Sequence, residues 1–145
     1  MIKKIITYLY RSLIKSPKEL GKISNYKVNA LLYPLCNNLF LSDGIYSTTS
    51  MTNAKIFTKE SMIETDKWLE EKHDCDNYSY ALNGYWSDSL YSFCFGIAWS
   101  NSHAFNIMID NEEEVWIIEP QTNKWMTLEE AKLNKQYYPF RLILI

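Results

Sequence analysis

The apolar positions change their period along this chain, and the change divides it in two. Ile2, Ile5, Ile6, Leu9 and Leu13 recur at helical spacing beside Lys3, Lys4, Arg11 and Lys15. That spacing predicts an amphipathic helix ending before Pro17, its stripe facing a core rather than a membrane. Up to about residue 72 the pattern reads as helices and connecting loops, with a turn at Asp43-Gly44 and a capping box, Ser61 with Glu64, opening a short helix. From Asp74 the signals sharpen. Asp74 is a natural N-cap for a helix in which Tyr78, Ala81, Leu82 and Tyr85 share a face, so Cys75 falls in its first turn. Four apolar runs follow, Tyr91 to Trp99, His103 to Asp110, Val115 to Glu119 and Phe140 to Ile145, which predict an antiparallel sheet. Thr127 with Glu130 is a second capping box, for one more short helix. The fold class expected is α+β.

Strand alternation puts His103, Phe105, Ile107 and Ile109 on one face, and the three apolar members mark it as buried. Pairing Ile109 with Val115 across the Asn111 to Glu114 turn sets Glu119 opposite Phe105 and His103 opposite Gln121. His103 and Glu119 are then diagonal neighbours, about 7–8 Å apart at the backbone and within reach through their side chains. An inward carboxylate beside an inward imidazole is costly unless the two pair. A thiol in the first turn of a helix sits among unpaired N–H groups at the positive end of the dipole, where the thiolate is favoured. If the Cys75 helix packs its N-terminus on that same face, Cys75, His103 and Glu119 align as nucleophile, base and orienter.

Composition narrows the setting. A length of 145 residues without repeat or linker predicts one domain over residues 1–145. A net charge of −2 gives no long-range field to gather phosphates, so nucleic acid is not expected as a partner. The apolar start is broken by Arg11 and Lys15 and has no small-residue cleavage site, and no run approaches the ~20 residues that span a bilayer. A cytoplasmic protein without a membrane partner is expected. Three cysteines, Cys36, Cys75 and Cys94, cannot all pair, which favours a reducing compartment.

The strings HDCDNYSYAL, FGIAWSNSHAFNIMID and VWIIEPQT resemble the papain-like C-terminal protease domain of the fungal chimeric agglutinins and their small stand-alone relatives in bacteria and phages. The likeness covers residues 74 to about 122 and rests on the ordered set Cys-Asp, His-Ala-x-Asn and Glu-Pro-Gln. It implies a papain/transglutaminase-like fold, Cys75 as nucleophile, His103 as general base, Glu119 as third member, and dependence on a divalent metal. Transglutaminase-like proteins share the order, but Phe105 and Glu119-Pro120-Gln121 depart from their His-Ala-Trp and Asp-Pro-Thr. Papain's own motif around its cysteine is missing, and no upstream residue stands out as an oxyanion donor.

An electrostatic conflict points the same way on metal. Asp74 and Asp76 flank Cys75 and oppose a thiolate, and no Lys or Arg lies close in sequence to offset Asp76. Hard oxygen ligands such as Asp76, Glu119 and the Gln121 carbonyl suit a calcium- or manganese-like ion. The expected function is a cysteine peptidase acting on a peptide or protein substrate. An acyl transferase or cell-wall amidase with the same triad, and a non-catalytic binding or inhibitory protein on this fold, are the alternatives.

Overall fold

The computed structural model describes residues 15–70, 72 and 74–145. The helix expected from the stripe at Ile2 to Leu13 lies outside them. The described elements run β1 (Gly21–Ser24), α1 (Asn25–Leu32), β2 (Leu39–Phe40), β3 (Ile45–Thr48), α2 (Met51–Glu60), a 3-10 turn (Ile63–Thr65), α3 (Cys75–Ser87), β4 (Phe95–Trp99), β5 (Ala104–Ile109), β6 (Val115–Glu119), β7 (Lys124–Thr127), α4 (Leu128–Lys132) and β8 (Leu142–Leu144). Six strands form one sheet in the order β2-β8-β4-β5-β6-β7, and β1 pairs with β3 in a separate ribbon.

The expected sheet is present but not purely antiparallel, because β2 runs parallel to β8. Three strands, β1 to β3, also stand where helices and loops were expected, and β7 follows β6 as an unforeseen hairpin partner. These strands are two to four residues long, too short to show a period of two. The pairing of β2 is set by a distant segment, as when Leu39 meets Ile143. Ser61 ends α2 instead of opening a helix with Glu64: its Oγ donates to the Thr58 carbonyl at 2.6 Å and accepts from Ile63 N–H at 3.3 Å. The Thr127 box forms as expected, with Thr127 Oγ1 accepting from Glu130 N–H at 3.2 Å.

The sheet is buried on both faces. Phe105, Ile107, Ile109 and Ile117 pack against Val28 and Leu32 of α1 and against Tyr137 and Phe140. On the opposite face Phe95, Met108 and Ile118 meet Ala54 and Phe57 of α2 and Leu82 and Trp86 of α3. Strand β5, buried at every residue, is the partition between the two cores. Gly96 on β4 is required by close approach, since a Cβ there would lie 2.0 Å from the Leu144 carbonyl oxygen of β8. Among the described residues no helix is long and apolar enough to cross a membrane.

Candidate active site

The register that positions His103 and Glu119 is fixed at the far end of their hairpin. Asp110 Oδ1 accepts from Glu112 N–H at 2.9 Å and Glu114 N–H at 3.0 Å, while Oδ2 accepts from Trp116 Nε1 at 2.8 Å. This closes the turn so that Ile109 pairs with Val115 and Asn106 with Ile118, as the strand pattern predicts. Carried along both strands, the register brings His103 and Glu119 together on one face. His103 Nε2 lies 2.6 Å from Glu119 Oε2, with the two residues 8% and 6% exposed. Glu119 Oε1 accepts from Gln121 N–H at 3.2 Å, and Oε2 also accepts from Tyr137 Oη at 2.9 Å. The buried carboxylate is therefore paired and hydrogen-bonded on both oxygens, which offsets the cost of burying it.

Cys75 is the first residue of α3, half-buried and free of disulfide. Asp74 is the N-cap, and its backbone N–H donates to Asn77 Oδ1 at 3.2 Å in the return half of a capping box. The buried stripe of α3 is Tyr78, Ser79, Leu82 and Trp86; Ala81 is exposed and Tyr85 half-buried, so the helix is rotated from the face expected. Its docking also differs. α3 packs on the Asn106 and Met108 face of β5, opposite the face that carries His103. The thiol and imidazole share a site because His103 sits just before β5 begins, at the strand end beyond which the N-terminus of α3 projects.

There a cleft of about 820 Å³ is lined by Cys75, Asp76, Tyr80, Trp99, His103 and Arg141, among others. No hydrogen bond joins Cys75 to His103, a looseness common in unliganded thiol sites. With Nε2 committed to Glu119, Nδ1 is the ring nitrogen left without a hydrogen bond among the described residues. Tyr80 and Trp99 form an aromatic wall, their ring centroids 6.0 Å apart. Arg141, remote in sequence, brings a cation to the same cleft as Asp74 and Asp76.

Tyr137 was not legible as a site residue, since it lies in no motif. Burial raises its phenol well above the ordinary value, and the neighbouring Glu119 charge adds to this, so it stays a proton donor. Cys36 and Cys94 are buried and unpaired. For the metal expected at Asp76, Glu119 and Gln121, both Glu119 side-chain oxygens are already engaged. Among the described residues no group of three or more His, Cys, Asp or Glu is arranged around a point that could hold an ion.

Helices packed on a mixed sheet make this an α+β fold of the papain/transglutaminase-like class. Two solved structures from fungal lectin chains share it. The chain superposes on PSL1a in its complex with E64 with a TM-score of 0.67 and 22% identity over 86% of its length. The Polyporus squamosus lectin bound to the human-type influenza-binding epitope Neu5Aca2-6Galb1-4GlcNAc gives a TM-score of 0.66, again at 22% identity over 86%. The chain spans about half the length of each, 51% and 49%. No protein-family model and no curated protein matches the sequence.

Proposed function

We propose that the protein is a cysteine peptidase that uses Cys75, His103 and Glu119. The observation that carries this is the buried His103–Glu119 pair opening on the cleft that also holds Cys75. PSL1a, bound in its structure to a cysteine-protease inhibitor, lends the fold precedent for thiol chemistry. In this reading the Cys75 proton passes to His103 Nδ1, and the sulfur attacks the peptide carbonyl carbon. The C–N bond breaks as His103 returns the proton to the departing amine, leaving a thioester. Water then attacks with His103 as base, releasing the acid and restoring the thiol. Glu119 keeps the imidazole oriented and balances its charge when protonated.

The test pairs thiol labelling with turnover of a peptide library. Iodoacetamide should modify Cys75 well before Cys36 and Cys94, and Cys75→Ser should abolish cleavage in a folded protein. His103→Ala should lower turnover by about 100-fold or more, the scale of general acid–base catalysis. Equal, sluggish labelling of all three cysteines, or cleavage surviving Cys75→Ser, overturns the reading. As a separate proposal, a calcium- or manganese-like ion held from Asp76, Glu119 and Gln121 would offset the acidic flank of Cys75. No step above depends on it.

A further inference from the structure

Tyr137 lies in the segment between α4 and β8, outside every motif that points to the site, and it is 6% exposed. It touches two members of the triad at once. Its hydroxyl donates to Glu119 Oε2 at 2.9 Å, the same oxygen that meets His103 Nε2. Its ring stands edge-on to the His103 ring, with centroids 5.5 Å apart at 74°, and makes a second edge contact with Phe105 at 5.2 Å.

The backbone around it is tied to the loop that carries His103. The Asn134 carbonyl accepts from Tyr137 N–H at 2.9 Å and from Tyr138 N–H at 3.1 Å, which turns the Tyr137 side chain inward. Ser100 Oγ donates to the Gln136 carbonyl at 2.6 Å and accepts from His103 N–H at 3.1 Å. One serine thus joins the strand-start loop to the Tyr137 segment. A residue that merely filled the core would need neither the shared carboxylate oxygen nor this bridge.

We propose that Tyr137 is a positioning residue: its hydroxyl steers Glu119 Oε2 onto His103 Nε2, and its ring confines the imidazole so that Nδ1 serves the Cys75 cleft. This rests on the Cys75/His103/Glu119 reading above. Without the hydroxyl, Glu119 Oε2 loses one of its two donors and can rotate away from the line to Nε2. The imidazole then spends less time in the one orientation useful for proton transfer. Substrate contacts are untouched, because Tyr137 does not line the cleft.

Tyr137→Phe, which removes one oxygen and keeps the ring, is the variant to measure. Its kcat should fall about tenfold with KM unchanged, and the rate of Cys75 alkylation should fall with it. In a Glu119→Gln background the same change should add no further loss, because the two groups act through one contact. With only two histidines in the chain, the His103 ring nitrogens can be followed by NMR. In a Cys75→Ala background the Nε2 signal should move on Tyr137→Phe while the other backbone signals stay dispersed. Unchanged kcat, unchanged alkylation and an unmoved Nε2 signal overturn the proposal, as does an effect fully additive with Glu119→Gln. If wild-type Cys75 is no more reactive than Cys36 and Cys94, the triad reading falls and this falls with it. A reactive wild-type Cys75 beside an unaffected Tyr137→Phe defeats this inference alone.

Discussion

Three thiols in one chain meet three different fates. Cys94 is fully buried ahead of β4, and burial pushes its thiol from the ordinary 9.0 up to about 12. Cys36 is buried with its Sγ on the Asn38 carbonyl at 3.4 Å, and only Cys75 reaches the cleft. The Cys94 shift has a consequence for stability. Below about pH 9 the thiol is protonated in both folded and unfolded chains, and its contribution is fully present. Between about pH 9 and 12 the unfolded chain sheds the proton while the folded one holds it, so stability falls as pH rises, by up to about 4 kcal/mol across the window. Urea unfolding at pH 8 to 11 should show this decline, and Cys94→Ala should flatten it. Identical slopes for the two proteins would show that the Cys94 thiol is not responsible.

At the scale of elements, α3 is anchored to the sheet by a buried polar contact. Asn106 on β5 is fully buried, and its Nδ2 donates to the Ser79 carbonyl of α3 at 3.1 Å and the Gly96 carbonyl of β4 at 3.0 Å. Ser79 Oγ in turn donates to the Cys75 carbonyl at 2.8 Å, so the start of α3 is reached from β5 in two steps. Asn106 Oδ1 accepts no hydrogen bond among the described residues, so burying the amide carries a desolvation cost that its two donated bonds offset. Asn106→Ala should destabilise by about 1–3 kcal/mol, from two lost hydrogen bonds and a small cavity. Alkylation of Cys75 should also lose its selectivity over Cys36 as the helix start loosens. A variant equal to wild type in both measurements would assign the anchoring to Leu82 and Trp86 alone.

Across the whole molecule, the site brings together the α3 start, the β4–β5 loop and the Arg141 segment. A divalent ion reaching from Asp76 on the helix to Glu119 and Gln121 on the sheet side would clamp them. Under that proposal, restoring calcium or manganese to chelator-treated protein should raise both the melting temperature and the rate of Cys75 alkylation. No change in either retires the cation. Arg141 offers the competing account, because its side chain lines the same cleft as Asp74 and Asp76 and carries the opposite charge there.

Whatever depends on local period and turn chemistry was legible in the residues alone. The Asp74 cap with Cys75 behind it, the Thr127 box, and the pairing of Ile109 with Val115 that aligns His103 with Glu119 all follow from residues near one another in the chain. Contacts between distant segments settled the rest. Two- to four-residue strands such as β2 have no period to read, and Leu39 becomes a strand because Ile143 pairs with it. The face on which α3 docks was decided by Trp86 stacking on Phe95 and by Asn106, giving a site assembled around a strand end instead of on one face. Tyr137 and Arg141 reach the site through folding of segments that carry no motif, and local pattern holds no record of contacts made across such distances.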